Sequence, residues 1–399
     1  MSNGSIPLSE KCFPESQLIL MSDLEKNINR AIFPFQFFIT VFGNLLTMSV
    51  LVSRHMKNRA NHLLAFLALC DILVFIMMLP HFFSATDTLG NNVGFRYFLF
   101  STKVHFGALT NWFSAAAIWF VLAISLERLL VIKYPFRSLD DYNIKQICLI
   151  AGGIFTGTFV LTSYHHFSYT CFNYLVCSGQ QLVGMCYNNV LDSFGRRPNP
   201  TSPFTKRWIA LSVYSNAVFA VLFPICAVAL LNVSLIRLVK QRNNQDLLVQ
   251  RSVSSVGCAR QEQERKMTHT VLAIVSCFSL TQGPSAVVYC LTHMFPQLPY
   301  LREASVMANQ LVLIGKMLNV VLFCLTSQTF RRKMFHTCNN WVYVVFCGKL
   351  DSSRINREKS FLTQKTSLVY SPSTRNTRRI SDADSIAMKS LNADTGIQD

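Results

Sequence analysis

The sequence is poor in charged side chains. Asp, Glu, Lys and Arg together make up 14% of its 399 residues, whereas a soluble domain carries about 25%. It also lacks the phosphate-binding P-loop, the Gly-x-Ser-x-Gly turn, the His-Glu-x-x-His zinc motif and the paired carboxylates of common enzyme sites. These absences argue against a soluble enzyme and predict neither catalytic residues nor a cofactor.

Metal-binding patterns are missing as well. The chain has 13 cysteines, but no two are spaced as Cys-x-x-Cys and none combines with histidine at a zinc-type spacing. The N-terminus has no basic leader followed by an apolar core, so no cleavable signal peptide is expected. The first long apolar segment would then direct insertion into the membrane.

Long apolar runs are what the sequence does contain. Hydrophobic residues make up 51% of it, and a helix needs about 20 mostly apolar residues to cross a bilayer. Seven segments meet this length, at residues 33–52, 63–83, 104–131, 147–164, 209–238, 267–291 and 304–325. We therefore predict an all-α membrane protein, a seven-transmembrane helix bundle. The formal net charge of +17 does not indicate a nucleic-acid partner, because the basic residues lie in short runs between apolar segments.

Basic residues distinguish the two sides of this bundle. Lys and Arg concentrate in the loops after segments one, three and five, so the positive-inside rule places these loops in the cytoplasm and the N-terminus outside the plasma membrane. We expect an extracellular tail at residues 1–31, the helix bundle at 32–335 and a largely disordered cytoplasmic tail at 336–399. The bundle ends in SQTFRRKMF, which predicts a short amphipathic juxtamembrane helix on the inner leaflet.

Short signals also predict covalent modification. Asn3 begins an Asn-Gly-Ser glycosylation sequence on the outer side. Cys338 and Cys347 follow the amphipathic helix closely and are candidates for palmitoylation, with unmodified thiols as the alternative. A glycoprotein with lipid attached near the end of the bundle is therefore expected.

Polar motifs within the segments resemble those of the rhodopsin-like, class A G-protein-coupled receptors over residues 33–335. The resemblance rests on a Gly-Asn pair, a Leu-Ala-x-x-Asp motif, a variant of the Asp-Arg-Tyr motif and two kink prolines: Gly43-Asn44, Leu67 to Asp71, Glu127-Arg128-Leu129, Pro224 and Pro284. Several positions depart from it, among them Gln282 in place of a Trp, Asn232 in place of a Tyr and Val320 in place of a Pro. The chain also looks similar, more loosely, to invertebrate FMRFamide-type and myoinhibitory-type peptide receptors.

The resemblance implies a receptor that binds an extracellular ligand and activates a heterotrimeric G-protein, with arrestin and receptor kinases acting on the C-terminal tail. The switch and coupling residues implied by the family motifs are Glu127, Arg128, Glu264, Asn319 and Phe323. In the quiet state Arg128 would pair with Glu264, and opening of the sixth helix would break the pair and admit the G-protein. The alternative is a local pair of Glu264 with Arg260 or Lys266.

The ligand class is narrowed by two absences. Thr110 stands where amine receptors of the family have an aspartate, and Leu313 stands where opsins have the retinal lysine, so neither ligand is expected. The positions implied for the pocket are polar or aromatic and suit the amide groups of a peptide: Thr110, Asn111, Phe113, Gln282, Tyr289 and Gln310. Each of them has packing between helices as its alternative role. A neuropeptide is the expected ligand.

Asp71 and Lys316 are the two charged residues placed most deeply in apolar segments. In the family the equivalent of Asp71 holds a sodium ion with polar groups of helices three and seven, but here those positions are Ala117 and Gly315, and only Asn319 is left. Lys316 is one helical turn from Asn319, so its ammonium is expected to pair with Asp71 in place of sodium. The alternative has Lys316 reaching a backbone carbonyl or water.

Four cysteines fall on the predicted outer side: Cys12, Cys171, Cys177 and Cys186. The family's usual disulfide from helix three is not expected, because Lys103 occupies that position. Four cysteines allow three pairings, and the sequence does not choose among them. We favour one bridge within the second outer loop and one between that loop and the N-terminal tail.

Two other interpretations are kept. A seven-helix channel or transporter would show internal repeats, paired broken helices or several charges along a path, and none is evident in the sequence. The second is a receptor-like protein that no longer signals, because Gln282, Asn232 and Val320 depart from the family's pattern.

Overall fold

The structure is a computed structural model, and it describes residues 12–14, 21–52, 59–134, 143–195, 197–249, 255–295, 298–326 and 331–339. Helices dominate these residues. In chain order they are α1 Asp23–Ala31, α2 Phe33–Leu51, α3 Arg59–Ser84, α4 Asp87–Gly90, α5 Val93–Lys133, α6 Ile144–Thr162, α7 Pro203–Ser215, α8 Phe223–Val249, α9 Ser255–Met294 and α10 Leu301–Thr326. A π-helical segment, Asn216–Leu222, joins α7 and α8 into one continuous helix.

The long helices coincide with the seven predicted apolar segments. Within the described ranges, six of them are long and apolar enough to cross a membrane: Phe33–Leu51, Arg59–Ser84, Val93–Lys133, Ile144–Phe167, Pro203–Gln241 and Leu301–Leu322. The remaining predicted segment, residues 267–291, lies within α9, which packs against both α8 and α10. The predicted all-α, seven-helix bundle is therefore confirmed.

α3 and α5 form the centre of the bundle, where their contact is the most extensive between any two helices. Leu67 of α3 and Phe120 of α5 are almost completely buried there, next to Ala116 and Ala117. Small side chains allow helices in a membrane to approach closely, and van der Waals packing then holds them together. Leucines on the outer faces of the helices are strongly exposed, as expected of side chains that face lipid: Leu149, Leu211 and Leu230.

Two elements at one end of the bundle were not predicted. The first is α1, which lies in the predicted N-terminal tail and is capped by Ser22, whose hydroxyl accepts the N–H of Glu25 at 3.3 Å. The second is an antiparallel hairpin of β1 (Tyr169–Val176) and β2 (Gln181–Asn188), which follows α6 and a 3₁₀ turn at Ser163–Phe167. Two short strands, β3 (Ser193–Phe194) and β4 (Arg197–Pro198), pair beyond it. We call this the hairpin end of the bundle, and the opposite end the Arg128 end.

The chain after α10 includes a further helical stretch at residues 331–339. Met334 packs against the main apolar core, whereas Phe335 is 65% exposed and the neighbouring Arg331 and Arg332 are exposed as well. This distribution agrees with the predicted amphipathic helix. Cys338 lies in this stretch and is partly buried, whereas Asn3, Cys347 and the tail from residue 340 lie outside the described residues.

Candidate functional site

A buried cluster of polar side chains joins α3 to α10. The ammonium of Lys316 donates to Asp71 Oδ1 at 2.7 Å, and the amide of Asn319 donates to Asp71 Oδ2 at 3.0 Å. Asp71 is 1% exposed, Lys316 3% and Asn319 4%. Because Lys316 and Asn319 are three residues apart on one face of α10, each reaches a different oxygen of the same carboxylate. The structure thus brings together the two charges singled out in the sequence.

Close helix packing positions this cluster. A Cβ atom at Gly43 of α2 would lie 2.5 Å from Val320 Cγ1, so glycine is what lets α2 approach α10 beside Asn319. On the other side of α10, a Cβ atom at Gly315 would overlap the hydroxyl of Thr281 on α9. α10 is therefore held between α2 and α9 next to Lys316 and Asn319, and Val320 fills the place where the family has proline.

At the Arg128 end, Arg128 is 3% exposed and lies inside the bundle, while the neighbouring Glu127 is only partly buried. Both residues belong to the last turns of α5. The side chains of Glu264 and Phe323 lie outside the described residues, although both positions fall within helices. The pairing of Arg128 with Glu264 therefore stays a prediction.

The three predicted ligand residues of α5 have different surroundings. The hydroxyl of Thr110 donates to the carbonyl of Phe106 in its own helix at 2.9 Å. Asn111 is exposed. Phe113 is buried in an apolar cluster with Leu313 and stacks on Trp112 with ring centroids 4.7 Å apart. In this arrangement Phe113 serves helix packing, the alternative role considered for each position.

The predicted residues of α9 and α10 do lie inside the bundle. Gln282 is 7% exposed, Gln310 is 8% exposed and Tyr289 is partly buried. The amide of Asn216, in the π-helical segment, donates to the hydroxyl of Tyr289 at 3.4 Å. Tyr164 hydrogen bonds to both of these residues. A polar cluster of Tyr164, Asn216 and Tyr289 therefore connects three helical segments at the hairpin end.

Two members of that cluster, Asn216 and Tyr164, were not predicted. The sequence could have indicated Asn216, because burying an amide side chain in an apolar segment costs free energy and such residues often serve a function. Gln310 Nε2 and Asn216 Oδ1 are two of the nine buried side-chain atoms in the described residues for which no hydrogen-bond partner is seen. They offer one donor and one acceptor inside the hairpin end.

The side chain of Trp119 supplies a hydrogen bond that is missing from the irregular helix containing Asn216. In the π-helical segment the N–H of Phe223 bonds to the carbonyl of Val218, five residues earlier. The next bond of this pattern would run from Pro224 to the carbonyl of Phe219, but proline has no N–H. The indole N–H of Trp119 on α5 donates to that carbonyl at 3.2 Å instead.

Two disulfides shape the hairpin end. Cys171 is bonded to Cys186 across the hairpin, and Cys12 is bonded to Cys177 at its turn. This is the pairing favoured from the sequence, with one bridge inside the loop and one to the N-terminal tail. The turn contains Cys177 and Ser178 with φ of 54° each, followed by Gly179 at 87°. Phe13 and Gln181 add two reciprocal hydrogen bonds of 2.9 Å between the tail and the hairpin.

The hairpin is fastened to α5 without a covalent bond. The buried guanidinium of Arg96 donates to the carbonyl of Leu182 at 2.8 Å and to that of Gly90 at 3.1 Å. A Cβ atom at Gly184 would overlap the ring of Phe100, so the strand lies directly on this ring. These contacts hold the hairpin near Lys103, where the family's disulfide would begin.

α1 closes over α3 at the hairpin end through charged side chains. The ring of His81 bonds to the carboxylate of Glu25 at 3.0 Å. The hydrogen bond with His81 is the main reason that the pKa of Glu25 lies below its ordinary value, and the positive charges of His81 and Arg302 add to it. Arg30 pairs with Asp87 and also donates to the carbonyl of Ala85 at 2.6 Å.

Comparison with known proteins agrees with this architecture. The family model for the 7 transmembrane receptor (rhodopsin family) matches residues 43–326. A Caenorhabditis elegans protein, named only as a candidate G-protein coupled receptor, is 35% identical over 349 residues, which is 84% of this chain and 79% of that protein. The sex peptide receptor-related protein 2 of the same organism is 23% identical over 347 residues, 81% of this chain and 75% of its own length.

A shorter match falls in another branch of receptors. The trace amine-associated receptor 365 of Petromyzon marinus is 34% identical over 122 residues, which is 29% of this chain and 31% of that protein. The family model covers well over half of the chain, and its range contains Asp71 and Arg128 and reaches the end of α10. The chain therefore belongs to the rhodopsin family of seven-transmembrane receptors and is a multi-pass membrane receptor.

Proposed function

We propose that this receptor lies in the plasma membrane with its hairpin end outside the cell. Disulfides form and persist in oxidising compartments, and both described disulfides are at the hairpin end. At the Arg128 end α3 begins with Arg59, α5 ends with Lys133, and Lys145 stands in the first turn of α6. This excess of base supports a cytoplasmic position for the Arg128 end.

We infer that the ligand is a neuropeptide. The observation that carries this inference is the pair of buried amide atoms without partners, the donor Gln310 Nε2 and the acceptor Asn216 Oδ1. An unpaired buried polar group costs about 1–3 kcal/mol, so a ligand that offers complementary groups gains affinity there. Every peptide unit offers one N–H and one carbonyl. The similarity to a protein named for a sex peptide receptor supports the same ligand class.

The bound receptor would activate a heterotrimeric G-protein at the Arg128 end. Arg128 is buried in the described structure, and outward movement of α9 would expose it to the G-protein, with Glu127, Glu264, Asn319 and Phe323 as the residues that set the switch. Phosphorylation of Ser and Thr in the tail from residue 336 by receptor kinases would add negative charge that recruits arrestin.

The receptor proposal is tested by a G-protein dissociation assay in cells. Amidated neuropeptides are screened against the wild-type chain and Arg128→Ala, with surface expression measured for both. A saturable response that is lost in the variant at equal expression is expected. A peptide-evoked ionic current that survives Arg128→Ala would instead identify a channel.

The ligand site is tested by Gln310→Leu, which removes the unpaired amide while keeping similar volume. We expect the potency of the active peptide to fall by roughly tenfold, since 1.4 kcal/mol corresponds to a factor of ten. Gln146→Leu is the matched control, because Gln146 is an exposed amide in the first turn of α6, at the Arg128 end. Equal losses in both variants would place the ligand elsewhere.

A further inference from the structure

Two histidines from different segments meet at the hairpin end. His105 lies on α5, and His166 lies in the 3₁₀ turn between α6 and β1. Their Nδ1 atoms are 2.9 Å apart, and their ring centroids are 5.2 Å apart with the planes tilted by 31°. The contact is exposed, so it is open to ions from solution. Neither residue belongs to the buried charge cluster or to the polar cluster around Asn216.

The contact between these rings is a hydrogen bond between two nitrogens that can each bind a metal. One Nδ1 must carry a proton and the other must accept it, because two lone pairs at this distance would repel each other. A neutral imidazole is the commonest side-chain ligand for transition metals. With metal–nitrogen bonds of about 2.0–2.1 Å, two neighbouring ligands at a right angle are about 2.9 Å apart. That angle is found in the square-planar sites preferred by Cu²⁺. Because the two Nδ1 atoms now face each other along the line between the ring centroids, both rings must turn toward the ion to bind it.

We propose that His105 and His166 bind a divalent transition-metal ion through their Nδ1 atoms, Cu²⁺ more tightly than Zn²⁺. Imidazole suits both ions, and Cu²⁺ stands above Zn²⁺ in the general order of affinity. Tetrahedral Zn²⁺ requires the two nitrogens to separate to about 3.3 Å, a small movement of exposed rings. Among the described residues no group of three or more His, Cys, Asp or Glu could hold a metal. Water therefore completes the coordination shell.

The proton balance of this site is simple. When both rings are neutral, the proton on the bridging Nδ1 moves to Nε2 of the same ring, and each Nδ1 lone pair then binds the metal. No net proton is released at such a pH. A protonated imidazole cannot bind a metal, so binding weakens in acid. The nearby ring of His165 stacks on Tyr164 with centroids 4.2 Å apart and serves as the comparison residue.

A metal at this position would tie α5 to the segment that leads into the hairpin. Because His166 lies in the same 3₁₀ turn as Tyr164 of the polar cluster, the ion would stabilise one arrangement of the hairpin end. The site itself does not depend on the identity of the receptor's ligand, so it is tested by binding alone.

The test uses the purified full-length chain in detergent, without agonist. Low-temperature electron paramagnetic resonance of bound Cu²⁺ is expected to show two nitrogen ligands in the wild type and in His165→Gln, but one or none in His105→Gln and His166→Gln. Saturating ZnCl₂ should raise the melting temperature of the wild type and of His165→Gln by a few degrees. It should leave the melting temperatures of His105→Gln and His166→Gln unchanged.

Each single substitution is of an exposed or partly exposed ring, so the variants are checked for equal monodispersity and equal melting temperature without metal. The proposal is overturned if the wild type shows no nitrogen signal and no shift. It is also overturned if His166→Gln keeps the wild-type signal, or if His165→Gln loses it as well.

Discussion

Lys316 on α10 and Asp71 on α3 form a buried ion pair, with 2.7 Å between Nζ and Oδ1. The amide of Asn319 donates to the other oxygen of this carboxylate. The positions that would complete a sodium site in the family are Ala117 and Gly315, whose side chains offer no oxygen ligand. The ammonium therefore provides the positive charge that a bound cation would otherwise supply. An isolated charge inside a membrane protein is costly, so each of the two residues requires the other.

The first prediction is that agonist affinity does not depend on sodium. Replacing NaCl with an equal concentration of choline chloride should leave the affinity of the active peptide unchanged within about twofold, because Lys316 already neutralises Asp71. Radioligand competition measures this. A clear sodium effect in the wild type that disappears in Asp71→Asn would show that the ion binds beside Lys316 after all.

The second prediction concerns the energy of the pair. Lys316→Met leaves the Asp71 carboxylate buried without its cation, which should destabilise the receptor by about 3–5 kcal/mol and lower its surface expression. The double variant Lys316→Met with Asp71→Asn buries no unpaired charge and should recover much of this loss. Thermal unfolding in detergent measures the coupling. Additive effects of the two substitutions would mean that the pair does not carry the stability.

The sequence predicted this pair because a charge in an apolar segment is costly unless a residue of opposite charge lies beside it. The spacing of Lys316 and Asn319 also placed both residues on one face of a helix. The sequence also favoured the pairing of the four outer cysteines, because the tail and one loop were the only segments that held them. The burial of Phe113 in an apolar cluster was harder to predict. Helices that are apolar all round carry little periodicity, so the rotation of α5 about its axis was not evident.

The hairpin and the cluster of Tyr164 with Asn216 show a second limit. The pairing of Cys171 with Cys186 in β1 and β2 depends on strand register, and a shift of one residue moves every side chain to the other face. The sequence between these cysteines has no alternation strong enough to fix that register. Tyr164 and Asn216 are far apart in the chain, and only the packing of their helices brings them together.

The third prediction tests the tryptophan that supports the π-helical segment. Trp119→Phe removes the donor to the Phe219 carbonyl and should destabilise the receptor by about 1–3 kcal/mol, because the carbonyl then has no partner. Pro224→Ala supplies a backbone N–H for this position. The cost of Trp119→Phe, measured by thermal unfolding, should therefore be smaller in a Pro224→Ala background. An equal cost in both backgrounds would assign the effect to lost packing of the indole.

The fourth prediction tests the non-covalent attachment of the hairpin. Gly184→Ala should displace the hairpin because the new methyl group overlaps the ring of Phe100, and Phe100→Ala in the same chain should relieve this overlap. Gly157→Ala on α6 is the matched control, since nothing lies within 4 Å of a Cβ atom there. Proteolysis of the hairpin in intact cells reports its displacement. Unchanged cleavage in Gly184→Ala would show that the strand does not depend on this close contact.

The last prediction concerns pH and the closure of α1 over α3. The pKa of Glu25 is lowered in the folded chain, mainly by the hydrogen bond with His81, so its contribution to stability is present above the unfolded value of about 4.3 and is lost as pH falls through the lower folded value. Hydrogen exchange of α1 should therefore accelerate in this acidic range in the wild type. Glu25→Gln should exchange faster already at pH 6 and show a weaker pH dependence, because its side chain does not titrate. Glu303→Gln, which changes an exposed carboxylate on α10, should behave as the wild type. If Glu25→Gln keeps the wild-type pH profile, the closure of α1 is held by Arg30 and Asp87 rather than by the pair of Glu25 with His81.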